Sequence, residues 1–227
     1  AKVVADPYGS NYTFSDGSAV TEGNTYYFKV EPIRWRILSE SDGSAFILAD
    51  GIIANRRYDN DRNNYEYSNI RVWLKYEFLD TAFGGVAQGL IKTTEVDNSV
   101  YSTGYSSNQY ADWSTFDKVF LLSYREVINS EYGFASNRST YDTARRMTVS
   151  DYARSTGAYM SKSSNYFGCG IWWLRSPDRN NSDCVRYVDY RGDTDLSTVH
   201  LSGGYSGNGS DVRNDYRGVV PALNITL

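Results

Sequence analysis

Apolar residues follow two rhythms along this chain, a strand-like alternation near the start and a helical spacing after it, and both thin out in the last quarter. Ile33, Trp35 and Ile37 alternate with Arg34 and Arg36, which predicts a strand with its apolar set turned inward. Tyr26–Val30 and Ala45–Ala49 read as strands as well, and Ser41-Asp42-Gly43 supplies the Asp-Gly turn of a hairpin. After Ser68, a helix-capping residue, Ile70, Trp73, Leu74 and Phe78 fall on one helical face. Phe83, Val86, Leu90 and Ile91 continue as a second helical piece beyond the break at Gly84-Gly85. Asp97–Thr115 reads as a long polar loop, Val119–Leu122 as a buried strand, and Ser123-x-x-Glu126 as a capping box. A short helix is expected over Val149–Ser155, ended by Gly157. The first 24 residues look weakly structured apart from a short strand near Tyr12–Phe14. No regular strand–helix–strand alternation appears, so the class is α+β with a mainly antiparallel sheet, in a single domain over residues 1–227.

Near the end the pattern changes. Trp172-Trp173-Leu174-Arg175-Ser176-Pro177 and Gly218-Val219-Val220-Pro221-Ala222-Leu223 are apolar, strand-like stretches that bracket a polar run over residues 178–217. Trp172, Trp173, Arg175 and Pro221 are assigned to structure, the arginine set against carbonyls or a ring so that it pins the start of the run. Within the run Val185, Val188, Leu196, Val199 and Val212 are expected to point inward. The candidate ligand-contact set is Arg179, Asn180, Asn181, Asp183, Arg186, Tyr187, Asp189, Tyr190, Asp193, Asp195, His200, Tyr205, Asp211, Arg213, Asn214, Asp215 and Tyr216, half of it facing solvent in one patch. Tyr, Asp, Asn, Ser, Gly and Arg also dominate antibody paratopes, where Tyr gives contact area at low entropic cost and short polar side chains adapt their hydrogen bonds. On this reading Trp173→Ala unfolds the domain, whereas Tyr190→Ala or Asp195→Ala leaves its melting temperature nearly unchanged and weakens binding.

Composition sharpens the division. Lys, Glu, Gln, Met and Trp together occur 23 times, always within residues 1–173; at that density the last 54 residues would hold about seven. A Gly/Asn/Asp-rich loop region that avoids long side chains is the plainer explanation. The 21 Tyr suit amphipathic surface as well as core.

Other classes of function find less support. A net charge of −4 without a basic block excludes an electrostatic footprint for nucleic acid, and no apolar run is long enough for this chain to insert in a membrane. Cys169 and Cys184, with His200 the sole histidine, cannot build a four-ligand zinc site, and they fit two free thiols or one disulfide. Asp59-x-Asp61-x-Asn63 starts like a calcium loop but lacks its turn Gly and bidentate Glu, so no metal ligand and no cofactor is assigned. No catalytic residue is assigned either: His200 has no acid-base constellation around it and no G-x-S-x-G elbow occurs. Arg191-Gly192-Asp193 and the sequons at Asn11, Asn137, Asn180, Asn208 and Asn224 are expected by chance in so polar a chain.

IRWRIL, SNIRVWLKYEFL, AF, KVFLLS, WWLRSP and GVVPALNI, in that order, resemble a widespread bacterial domain family of unknown function. Its C-terminal part is similar to the variable proteins of diversity-generating retroelements, and the likeness spans about residues 26–227. The resemblance implies a C-type lectin-like fold related to formylglycine-generating enzymes. It also implies random replacement of adenines in codons of the AAC type. Such codons reach Asn, Asp, Tyr, His, Ser, Gly, Cys, Arg, Thr, Ala, Pro, Ile, Val, Phe or Leu, never the five types missing after Trp173. The function so implied is non-catalytic binding of a protein or other surface macromolecule through a diversified face, with display outside or on the surface of a bacterium or phage. Two alternatives stay open: an oxidase related to formylglycine-generating enzymes through Cys169 and Cys184, and a carbohydrate-binding lectin, although the lectin E-P-N or Q-P-D signal is absent.

Overall fold

The computed structural model describes residues 2–3, 12–137, 141–194 and 210–227. In chain order its strands are β1 Lys2–Val3, β2 Thr25–Tyr26, β3 Trp35–Ser41, β4 Ser44–Ala49, β5 Ala54–Asn55, β6 Thr94–Val96, β7 Thr115–Asp117, β8 Trp172–Pro177, β9 Cys184–Val188, β10 Ser210–Asp211, β11 Gly218–Val219 and β12 Ala222–Thr226. The class is α+β with mostly antiparallel pairing.

The hairpin of β3 and β4 turns on Asp42 and Gly43, both at positive φ (49° and 67°), the geometry that an Asp-Gly pair favours. β12 lies on the other side of β4, so β4 is the centre of a three-stranded sheet and Ala45 to Ala49 are all buried. One expectation fails in β3. A register shift between Ile37 and Ser39 reverses the alternation there, leaving Ile37 56% exposed and turning Leu38 inward. Arg36, expected outside, instead lays its guanidinium 5.1 Å from the centre of the Phe134 ring and donates to the Ala144 carbonyl at 2.7 Å.

Ser68 caps the first long helical stretch: its Oγ accepts from the Arg71 N–H at 3.3 Å. Helical segments Asn69–Val72, Trp73–Phe78 and Leu79–Ala82 follow without a gap, the middle one wound as a π-helix. Ile70, Leu74 and Phe78 are the buried face. The second piece, Gly85–Leu90, is helical but carries no core: Val86 is 88% exposed and only Ile91, just past its end, is buried. Of the expected strand Tyr26–Val30 only Tyr26 lies in β2, and Val30 is 98% exposed. Val119–Leu122 is buried throughout yet joins a ladder only through the bridge from Phe120 to Ala222. Asp97–Thr115 is no plain loop, because it holds the helical turn Val100–Thr103 and buries Asn98, Ser102, Thr103 and Asn108. Val127, packed under the expected capping box of Ser123 and Glu126, and the helix Asp151–Ser155 close the core.

The second sheet has the order β10-β9-β8-β11-β5, with β8 and β11 parallel and the other pairs antiparallel. It places the two apolar brackets side by side, Gly218 opposite Trp172. Gly218 permits that approach: a Cβ there would lie 2.5 Å from the Ile52 side chain. Past Pro221 the chain enters β12, so the return stretch ties the two sheets together. Among the described residues no helix is long and apolar enough to cross a membrane.

Candidate functional site: a polar run held by a buried strand

Every residue of β8 is buried. The Trp172 indole N–H donates to the Arg145 carbonyl at 3.1 Å and that of Trp173 to the Arg56 carbonyl at 2.9 Å, so both rings are packed and satisfied. Arg175 is 2% exposed; its guanidinium donates to the Leu121 carbonyl at 2.7 Å, the Asp97 carbonyl at 3.1 Å and the Glu126 carboxylate at 2.5 Å. Glu126 also accepts from the Ser123 N–H at 2.6 Å, so one carboxylate serves helix cap and ion pair together. Pro221 is buried, its carbonyl accepting from the Ala49 N–H at 2.9 Å.

Beyond Pro177 the chain turns at once. Asp178, fully buried, accepts the Asn180 and Asn181 N–H groups at 2.8 and 3.1 Å, which projects Arg179 and Asn180 into solvent. Asn63 fastens the turn from outside the run, its amide donating to the carbonyls of Asp178 at 3.1 Å and Asn181 at 2.8 Å. On the neighbouring β9–β10 edge, Arg213 pairs with Asp211 at 2.5 Å and reaches Asp183 at 3.5 Å. The hydrogen bond from Arg213 holds the Asp211 carboxyl below the usual carboxylate range. Asp215 is exposed beside Arg57 at 3.4 Å, and Asn214 and Tyr216 are half-buried next to it. The surface-facing members of the candidate set are thus Arg179, Asn180, Arg213 and Asp215, flanked by the half-buried Asn181, Asp183, Tyr190, Asp211, Asn214 and Tyr216.

Four candidates face inward. Arg186 is 1% exposed, its guanidinium 3.7 Å from the centre of the Tyr124 ring and 4.4 Å from that of Tyr105. The two ring faces and the Tyr105 hydroxyl, which accepts from the Arg186 Nε at 3.3 Å, offset part of the cost of burying this planar, weakly hydrated cation, so a polar residue in β9 can belong to the core. Tyr187 is buried under Arg217, whose guanidinium lies 4.5 Å from its ring centre. Asp189 is spent on a turn, accepting the Arg191 and Asp193 N–H groups at 2.8 and 2.9 Å and the Arg191 guanidinium at 2.6 Å, and Asp193 is buried in that turn. Tyr190 sits half-buried between Tyr159 and Tyr166, both ring centres 5.7 Å away, and packs against the core. Tyr190→Ala is therefore no test of display free of stability effects. Val185, Val188 and Val212 are buried. Asp195, Leu196, Val199, His200 and Tyr205 lie outside the described residues.

Sequence reasoning missed the supports. Arg145, with no exposed surface, donates to the Gly192 carbonyl at 2.8 Å and to those of Val127, Ala135 and Asn137 at 3.1–3.2 Å, and so anchors the turn of the run from beneath. Tyr105 and Asn108 do similar work in what read as a loop, Asn108 donating to the Pro177 carbonyl at 3.0 Å. Tyrosines and asparagines crowding Asp97–Thr115 were the available signal.

Among the described residues no three His, Cys, Asp or Glu side chains gather as a metal site. Asp59 is occupied as a turn acceptor for Asp61, Arg62 and Asn69. Both cysteines are free, and burial pushes the Cys184 thiol from 9.0 up to about 12. The neutral thiol is the form the fold favours, so its contribution is complete below about pH 9 and erodes as pH rises toward about 12. Thermal melts between pH 8 and 11 should fall more steeply for the native chain than for Cys184→Ala; parallel curves would contradict this burial.

A family model described as Domain of unknown function (DUF6273) matches residues 42–227. The chain belongs to this family. The match takes in β4, the helices, both bracketing stretches and the whole polar run, and leaves β3 outside. Neither a curated protein nor a solved structure matches the chain.

Proposed function

We propose that this chain is a non-catalytic binding protein of C-type lectin-like fold that displays a diversified polar surface, carried by the loops of residues 178–217, to a protein or other macromolecule on a cell or phage surface. One observation carries the reading: the sequence loses Lys, Glu, Gln, Met and Trp after Trp173, inside the buried strand from which the displayed run departs. A compositional boundary and a boundary between packed frame and solvent-facing turn fall within a few residues of each other. The fastening is also of the kind a replaceable surface needs. From outside, the run is fastened through backbone carbonyls, those of Asp178 and Asn181 accepting from Asn63 and that of Gly192 from Arg145, with Asn108 holding the Pro177 carbonyl just ahead of it, so exposed side chains can change without loss of these bonds. The buried Arg186, Tyr187, Asp189 and Asp193 restrict the exchangeable part to the turns between strands. Display outside a bacterium or on a phage is part of the same proposal. Sequencing the DNA beside the gene tests its genetic half: a reverse transcriptase and an imperfect copy of the gene's 3′ end are expected, and the absence of both contradicts it.

A further inference from the structure

A cleft of about 650 Å³ lies between the β4–β5 connection, the π-wound helix and the segments at 31–34 and 148–156, and none of the candidate contact residues lines it. Its volume is in the range of small-molecule sites. Ile33, Ile52, Ile53, Phe78 and Ala82 give it an apolar floor. Trp73, Glu77 and Thr81 follow one another at helical spacing along one wall. The first two belong to the π-wound turn, a rare winding that concentrates at functional sites. From the 148–156 segment comes Tyr152, 41% exposed, its ring set at 85° to that of Phe28 with 5.7 Å between their centres.

The main chain of the floor is already paired. The Ile52 N–H donates to the Thr148 carbonyl at 2.8 Å, the Ile52 carbonyl accepts from the Ser150 N–H at 3.0 Å, and the Ile53 N–H donates to the Val219 carbonyl at 3.1 Å. Ser150 Oγ in turn donates to the Ile53 carbonyl at 3.4 Å. A ligand is therefore met by side chains, and an extended peptide finds no strand edge to join. The charged lining residues are Glu31, Arg34, Asp50, Arg56 and Glu77, three acids against two bases, which favours neither an anion nor a polycation. A purely apolar ligand would strip water from the exposed Asp50 and Glu77 carboxylates and return no hydrogen bond. What these groups match is a neutral molecule dense in hydroxyls, each of which both donates and accepts, with an apolar face for the floor and for Tyr152.

We infer that this cleft binds a short neutral sugar chain. The C–H face of a sugar ring packs on Tyr152 and the isoleucine floor, its hydroxyls donate to Asp50 and Glu77, and they accept from Arg34. On the helix wall Arg56 covers the Trp73 ring, 4.7 Å from its centre, and pairs with Glu77 at 2.8 Å, so that wall meets the hydroxyl edge of the sugar and not its face. None of these contacts uses a metal, so the missing calcium-lectin signal has no bearing on them. The site stands whether or not the polar run is diversified.

The test is a titration of the ¹⁵N-labelled chain with maltose, cellobiose, lactose and N,N′-diacetylchitobiose, beside the acidic hyaluronan disaccharide and the end-blocked tripeptide Ala-Leu-Ala. At least one neutral disaccharide is expected to shift the Thr81 amide and the Trp73 indole N–H saturably at millimolar concentration, in EDTA as well as without it, while the acidic sugar and the tripeptide bind more weakly. Tyr152→Ala should weaken that sugar about tenfold through the lost ring face. Asp50→Ala, at an exposed position that leaves the core untouched, should weaken it severalfold, and Asn180→Ala on the displayed turn should leave it unchanged. No saturable shift from any of the four sugars, equal binding of the acidic sugar or the tripeptide, loss of binding in EDTA, or binding weakened by Asn180→Ala and not by Tyr152→Ala or Asp50→Ala would overturn the inference.

Discussion

Trp173→Ala is expected to unfold the domain at physiological temperature. Trp173 has no exposed surface, its ring meets Tyr58 edge-on at 5.8 Å, and its indole N–H satisfies the Arg56 carbonyl. Removing a buried ring of this size costs about 3–5 kcal/mol, and the carbonyl left without a donor adds about 1–3 kcal/mol. Domains hold only about 5–15 kcal/mol in all, so the loss consumes most of it. Asn180→Ala and Asp215→Ala, on exposed turns, should stay within about 0.5 kcal/mol of the native chain. Equal destabilisation by all three, read by urea unfolding, would contradict the division between frame and displayed surface.

Arg175→Met is the second large effect. The methionine keeps much of the packing but strips donors from the Leu121 and Asp97 carbonyls and leaves the Glu126 carboxylate, 22% exposed on its side chain, without its cation. Breaking a buried pair on one side costs about 3–5 kcal/mol. Adding Glu126→Gln should recover part of that loss, because a neutral amide oxygen still accepts from the Ser123 N–H while the stranded charge is gone. A double variant no more stable than Arg175→Met would show that the guanidinium matters for its carbonyl contacts alone. Both variants act on the strand that launches the run, not on the run itself.

Much of the framework was legible because local chemistry decided it. The Asp42-Gly43 turn, the Ser68 cap and the Ser123–Glu126 box are fixed by a few neighbouring residues. β4 was legible from the apolar run Ala45–Ala49, and β8 from the apolar residues Trp172 to Leu174 that open it. What failed depended on partners far along the chain. Ile37 turned outward because a register shift against β4, invisible in its own spacing, reversed the alternation. The helix Gly85–Leu90 formed but faced water, since periodicity reports a face and not what covers it. Arg186 and Tyr187 read as surface by residue type, and only the rings of Tyr105 and Tyr124 and the guanidinium of Arg217 make them core. The candidate face was therefore legible as a segment, while its outward members had to be read from burial.

The central claim is that the displayed turns vary and the frame beneath them does not. It is tested most directly by sequencing sister copies of the gene from one population and mapping substitutions onto the chain. The account predicts that changes concentrate at adenine-bearing codons within 178–217, at Arg179, Asn180, Arg213 and Asp215 above all, and spare Trp172 to Pro177, Arg186, Asp189 and Gly218 to Leu223. Substitutions spread evenly over the chain, or as frequent at the buried positions as at the exposed ones, would contradict it.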